Sequence, residues 1–213
     1  MRERSCALKN NVPATFAHNN RSIASSHTTQ QSWQEICLLL SHSPETGKSK
    51  YVVINRPITK GINKQLAQLL LEGSDGSGKG KFDYGFIDKF VQAFSMDGVV
   101  YNGGQNGQSE PALFLHGISV LPGATEIAPG TGIYEGGVEA AVDGILEGNY
   151  KPLEFRFFLG KHILNPELHP DRGALLGKIK QEEYKPVACS RSLALKQCLA
   201  LPKPLWHEGT FGS

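Results

Sequence analysis

At 213 residues the chain has the length of one domain, and 39% apolar with 20% charged residues is the make-up of a soluble globular protein with one core. A net charge of +2 gives no basis for a nucleic-acid or anionic-membrane partner, and no apolar run approaches the ~20 residues that cross a bilayer. The four cysteines, Cys6, Cys37, Cys189 and Cys198, include no C-x-x-C pair, which removes zinc and redox-motif spacings and favours free thiols, with one disulfide left open.

Residues 1–31 are poor in aliphatics and rich in Ser, Thr, Asn and Arg. They carry a local charge of +3, so the remainder is −1. This is the composition of an unstructured leader or of an organellar transit segment, and it leaves cytosol, plastid and mitochondrion open. A domain is expected over 32–213. Glu35–Ser41 (EICLLLS) and Tyr51–Asn55 (YVVIN), separated by a turn with Pro44 and Gly47, predict a β-hairpin, with Pro57 ending the second strand.

Ile62, Leu66, Leu69 and Leu70 recur at helical spacing, so INKQLAQLLLEG predicts a helix closed by Gly73. The stretch GSDGSGKG (73–80) then resembles the phosphate loop G-x-x-x-x-G-K-[S/T], with Gly80 at the hydroxyl position. A phosphate loop follows a strand, whereas a helix stands here, so the stretch reads as a flexible connection to a second helix carrying Ile87, Val91 and Phe94.

After Gly98 the rhythm becomes that of strands: VVYNGG, ALFLHGISV and, beyond a Gly/Pro-rich connection, GIYEGG. Val138, Val142, Ile145 and Leu146 predict a helix ending at Gly148. EFRFFLG (154–160) predicts a strand covered on both faces, since Arg156 and Phe158 alternate with Phe155, Phe157 and Leu159. A short helix around Leu175–Ile179, with Asp171 near its N-cap, a strand in YKPVACS and a turn or two of helix in SLALKQCLAL complete the series. Strands and helices interleave, which predicts an α/β fold.

The ordered pieces VINRP (53–57), VYNGG (100–104), FLH (114–116), GIYEGG (132–137) and FRFFLG (155–160) together resemble the AlgH-like family. Bacterial members read LNRP, GGP, VLH, GLYLGG and VFLG in that order. The segment VACSRSLALKQCLALPKPLWHE further resembles the algal and plant-type branch. The resemblance implies a single α/β domain built on a bent mixed sheet, as a pseudo-barrel or three layers, flanked by helices. It implies no particular reaction, although bacterial relatives are linked to transcriptional regulation. The chain departs from the pattern at Gln105, where the family has Pro, at KHILNPELHPDRGALL, and at GTFGS, which stands where a last helix is expected.

Candidate site residues follow from the same pieces. Arg56, held by Pro57 beside Asn55, has the planar fork that clamps carboxylate or phosphate; covering the sheet edge or pairing with an acid is the plainer role. Gly103-Gly104 and Gly136-Gly137 allow close approach to a ligand or serve tight turns. His116 ends a strand, either as a rim histidine or as an acid/base. No nucleophile elbow, metal spacing or cofactor fingerprint is present, so no catalytic residue, metal or cofactor is assigned. The leading expectation is a non-catalytic regulatory or binding protein whose partner is a protein or a small anion, with no sequence evidence for nucleic acid and no membrane involved. The alternative is an enzyme acting on a small carboxylate or phosphate, with Arg56 as anchor and His116 as acid/base.

Overall fold

The computed structural model describes residues 14–18, 35–168, 170 and 174–197. In chain order the first half contains β1 (Ala14–His18), β2 (Glu35–His42), β3 (Ser49–Val53), β4 (Pro57–Lys60), α1 (Lys64–Glu72), α2 (Tyr84–Phe94), β5 (Val99–Asn102) and β6 (Leu113–His116). The second half contains β7 (Ala124–Glu126), β8 (Tyr134–Gly136), α3 (Val138–Leu146), β9 (Phe155–Leu159), β10 (His162–Leu164), α4 (Leu175–Lys180), β11 (Tyr184–Ala188) and α5 (Arg191–Ala194).

The strands divide into two sheets. One is wholly antiparallel, in the order β10-β3-β2-β1-β11. The other is mixed, in the order β4-β5-β9-β6-β8-β7, with β5 and β9 its parallel pair. The expected α/β architecture with a mixed sheet and flanking helices is therefore present, but neither sheet closes into a barrel and no single bent sheet carries the fold. The β2–β3 hairpin forms as expected. Its register slips between Leu39 and Ser41, which makes Leu40 the extra residue of a bulge.

Alternation along each strand decides what packs where. Ile36, Leu38 and Val52 point from the antiparallel sheet toward Tyr101, Leu115 and Phe158 of the mixed sheet, forming one core between the sheets. The opposite face of the mixed sheet carries Val100, Phe114, Phe155 and Phe157 against α1, α2 and α3. There Phe94 meets Phe114, Phe155 and Phe157 edge-on, an arrangement favoured by the ring quadrupoles. The outer face of the antiparallel sheet carries Cys37, Tyr51 and Val53, covered by Leu175 and Ile179 of α4.

The helices begin where the sequence supplies caps. Asn63 Oδ1 accepts the Leu66 N–H at 2.8 Å, and Asp83 Oδ1 accepts the Phe86 N–H at 2.7 Å. Gly73 closes α1, and residues 73–80 lie within the 73–83 connection from α1 to α2, the setting of a loop rather than of a phosphate cradle.

Four strands depart from expectation. Pro57 does not end a strand; it opens β4, at the edge of the mixed sheet, where its missing N–H costs no ladder bond. β7 lies in the Gly/Pro-rich stretch expected to be a connection, and β10 in the segment that departs from the AlgH-like pattern. Within the expected leader, residues 14–18 form β1 between β2 and β11. The rest of 1–31, Asp171 and the closing LPKPLWHEGTFGS lie outside the described residues, as do Cys6 and Cys198; Cys37 and Cys189 are both buried, Cys37 as a free thiol.

Candidate functional site

The residues singled out from sequence gather at two corners rather than in one cleft. At the first, Asn55 is buried and its Oδ1 accepts the Ile36 N–H at 2.9 Å, which pins the hairpin. The Gly103 carbonyl accepts the Val53 N–H at 2.9 Å, and the Gly103 N–H donates to Leu159 O at 2.8 Å, so this glycine stitches the two sheets together. Gly104, at φ 155, lies so close to the Lys161 backbone that a Cβ would overlap it. The Arg56 carbonyl accepts the Asn102 N–H at 2.9 Å. Its guanidinium Nε stands 3.6 Å from Glu35 Oε1, both side chains being about one-fifth exposed, at 20% and 23%. Arg56 thus faces a carboxylate.

At the second corner His116 is fully buried. Its Nε2 lies 3.0 Å from the Gly136 carbonyl, and the Ile118 N–H donates to Nδ1 at 3.1 Å. A carbonyl only accepts and an N–H only donates, so the ring is neutral with its proton on Nε2. Burial holds its pKa below the usual histidine value, opposed in part by the Gly136 carbonyl. Gly137 precedes α3 in the left-handed region, at φ 74, packed on Leu121 and Pro122.

Two hollows are candidates for ligand. The smaller, about 290 Å³, lies on the outer face of the antiparallel sheet and is lined by Glu35, Cys37, Tyr51, Gly104, His162 and Tyr184 among others. Of the residues expected to bind ligand, only Gly104 lines it. The Tyr51 and Tyr184 hydroxyls are 2.9 Å apart, and the His162 ring stacks on Tyr51 at 5.0 Å. Burial raises the pKa of both phenols, that of Tyr184 to about 12, and raises that of the Cys37 thiol well above its usual value. All three stay protonated at neutral pH, so the two phenols and the thiol offer hydrogen bonds rather than an anionic nucleophile.

The larger hollow, about 810 Å³, is the mouth of the space between the sheets. Leu40, Leu113, Ile127 and Phe158 form its apolar floor, continuous with the inter-sheet core. Lys50, Lys161, Asp75, Glu110, Glu126 and Glu135 form its rim. Most of these charges are engaged. Lys161 Nζ lies 2.7 Å from Glu110 Oε2; Glu126 Oε1 accepts the Gly132 N–H at 2.6 Å; Asp75 Oδ1 accepts the Ser77 N–H at 2.9 Å. Glu135 makes no hydrogen bond or ion pair among the described residues. The cleft walls desolvate it and raise its carboxyl pKa, while the Lys161 and Lys50 charges pull it back. No spacing in the sequence unites residues 40, 113, 127 and 158, so this cleft had no local signature.

Where the inter-sheet space is closed, Arg156 is fully buried and has no carboxylate partner among the described residues. Its Nη1 donates to Ala194 O at 2.7 Å and its Nη2 to Ile54 O at 2.5 Å, with the guanidinium 4.2 Å from the Tyr101 ring centre. Its Nε–H has no hydrogen-bond partner among the described residues. Tyr101 in turn donates to Gln197 Oε1 at 2.6 Å, and Gln197 Nε2 donates to Leu153 O and Phe155 O. These bonds fasten α5 and the residues after it onto the sheets. The alternation in FRFFLG placed Arg156 on a covered face but did not disclose this role.

Among the described residues no group of three or more His, Cys, Asp or Glu is placed to hold a metal, and no helix is long and apolar enough to cross a membrane. No family model matches the chain, and no curated protein matches it. Among solved structures it is similar to the AlgH protein from Pseudomonas aeruginosa, 16% identical, covering 98% of this chain and 89% of that one with a TM-score of 0.53. It is also similar to a Corynebacterium diphtheriae protein, 15% identical, covering 94% of this chain and 92% of that one with a TM-score of 0.51. Neither similarity bears on the algal and plant-type branch. The order of strands and helices described above is thus an AlgH-like fold.

Proposed function

We propose that this chain is a non-catalytic binding protein with a regulatory role, and that it holds its partner in the inter-sheet cleft. One observation carries the proposal: a cleft of about 810 Å³ opens onto the core, with an aliphatic and aromatic floor and a charged rim. Ligand sites are typically concave, ~300–1,000 Å³ and mostly apolar, with a few polar groups that fix orientation. The regulatory sense comes from the resemblance to AlgH-like proteins.

The rim decides what chemistry fits. Four carboxylates face two lysines, and one of those lysines is held by Glu110. The excess is negative, so a cationic group is favoured over the small anion expected at Arg56. At Arg56 an incoming anion has to compete with Glu35. The enzymatic alternative needs His116 to move a proton, yet both of its ring nitrogens are committed to backbone groups in the interior.

A thermal-shift screen of the full chain against small cations, small anions and short peptides tests the proposal. A ligand that binds only the folded state stabilises it by about 2.7 kcal/mol at a hundred times its Kd. Cationic ligands are expected to raise the midpoint in the native protein and not in Glu135→Lys. Anions that raise it, with the effect lost in Arg56→Ala, would move the site to the hairpin corner.

A further inference from the structure

We propose that the cleft takes its partner as an added β-strand: an extended segment of another protein pairs with the open edge of β7 and sets a basic side chain against Glu135. This rests on the cleft being the binding site and goes further, by naming the partner and its mode of attachment.

β7 is the last strand of the mixed sheet, and among the described residues nothing pairs with its outer edge. Its register on β8 sets Ala124 opposite Gly136, Thr125 opposite Glu135 and Glu126 opposite Tyr134. The Ile127 N–H donates to Ile133 O at 2.9 Å, in the same register. Hydrogen-bonded and non-hydrogen-bonded pairs alternate in an antiparallel ladder. Thr125 and Ile127 therefore direct their main-chain groups to β8, while Ala124 and Glu126 direct theirs outward. The Ala124 N–H is taken by Leu121 O at 3.2 Å. The open edge keeps the Ala124 carbonyl and both main-chain groups of Glu126, which is one donor flanked by two acceptors.

This edge is part of the cleft, whose wall includes Thr125, Glu126 and Ile127. Thr125 and Glu135, opposite each other, share the face that looks into it. A strand laid beside β7 has alternate side chains on that face, over the floor of Leu40, Leu113, Ile127 and Phe158. Leu40 belongs to that floor as the extra residue of the β2 bulge. On that face Thr125 stands between the added strand and Glu135, two strand spacings or ~10 Å away, so a long basic side chain is needed to reach the Glu135 carboxylate, which has no hydrogen bond or ion pair among the described residues. The excess of acids on the rim selects a segment with Lys or Arg at one of these positions and apolar residues at the others. Main-chain bonds give affinity and alternate pockets give selectivity in this mode of recognition.

The test uses the full chain and three synthetic probes. They are acetyl-Val-Thr-Arg-Thr-Val-Thr-Val-amide, which sets one Arg among Val side chains on a single face, its counterpart with Glu for Arg, and its twin N-methylated at alternate residues, binding being read by calorimetry. The Arg peptide is expected to bind, with the Glu peptide and the N-methylated twin each at least about tenfold weaker. Glu135→Lys is expected to weaken the Arg peptide by a similar factor. The Arg peptide should also slow hydrogen exchange at the Glu126 amide in the unaltered protein, a readout that requires no variant to fold. Failure of the Arg peptide to bind overturns strand addition. Binding that tolerates N-methylation and leaves the Glu126 amide unprotected also overturns it, while leaving the cleft as a binding site. If neither peptides nor small ligands shift the protein, both proposals fail. A concentration-dependent dimer that Glu135→Lys abolishes would make the occupant a second copy, and would overturn the partner named here.

Discussion

The space between the two sheets is closed at one end and open at the other, and Phe158 touches both. Toward the closed end, Phe158 packs 5.2 Å from the Arg156 guanidinium; toward the open end it is part of the cleft floor. At the closed end every partner of Arg156 is a carbonyl or a ring, and α5 seals the layer. At the open end carboxylates and lysines stand around an apolar floor, and the Glu135 carboxylate has no hydrogen bond or ion pair among the described residues. Buried polar groups such as the Arg156 Nη1 and Nη2 serve stability through the carbonyls they bind. Where polar groups ring an exposed apolar surface, they are available to a partner.

That contrast predicts a separation between variants that unfold the protein and variants that stop it binding. The largest effect is expected at the closed end. Arg156→Ala opens a cavity beside Tyr101 and leaves the Ile54 and Ala194 carbonyls unpaired, a loss of about 3–5 kcal/mol in urea unfolding. Gly104→Ala should cost about 2 kcal/mol, because its φ of 155 and the adjacent Lys161 backbone leave no place for a Cβ. Tyr101→Phe removes the hydrogen bond to Gln197 and should cost about 1 kcal/mol, with faster proteolysis after Ala194. Glu135→Gln, at the open end, is expected to change stability by no more than about 0.5 kcal/mol while weakening cationic ligands. An equal loss of stability at both ends would break the comparison.

The smallest effect is a pH slope. His116 is held neutral, with its native pKa pushed by burial below the usual histidine value, so on acidification the unfolded chain takes up the proton first. Its contribution to stability is complete above about pH 6.5 and declines as pH falls toward the lowered native value. Urea unfolding across that window should show the slope, and His116→Gln should flatten it.

Helices and long strands were legible in the sequence because their patterns span enough residues. The apolar spacing from Ile62 to Leu70 located α1, the caps Asn63 and Asp83 agree with it, and YVVIN located β3. The strands β4, β7 and β10 hold three or four residues each, too few for alternation to rise above a loop, and Pro57 at a sheet edge looks the same as Pro57 at a strand end. Asn55, Gly103 and Gly104 were recognisable as places of special backbone geometry. What that geometry does, joining two sheets, depends on Val53 and Leu159, which are far from Gly103 in sequence. The cleft was hidden for the same reason, since its floor is drawn from four segments that meet only when the sheets pack.

Backbone amide shift mapping of the full chain with the Arg peptide tests most directly whether the open mouth between the sheets is the binding site. The changes should converge on Lys50, Thr125, Ile127 and Glu135 and leave Glu35, Tyr51 and Gln105 unmoved. Changes centred on Glu35, Tyr51 and Gln105 with the cleft silent would contradict it.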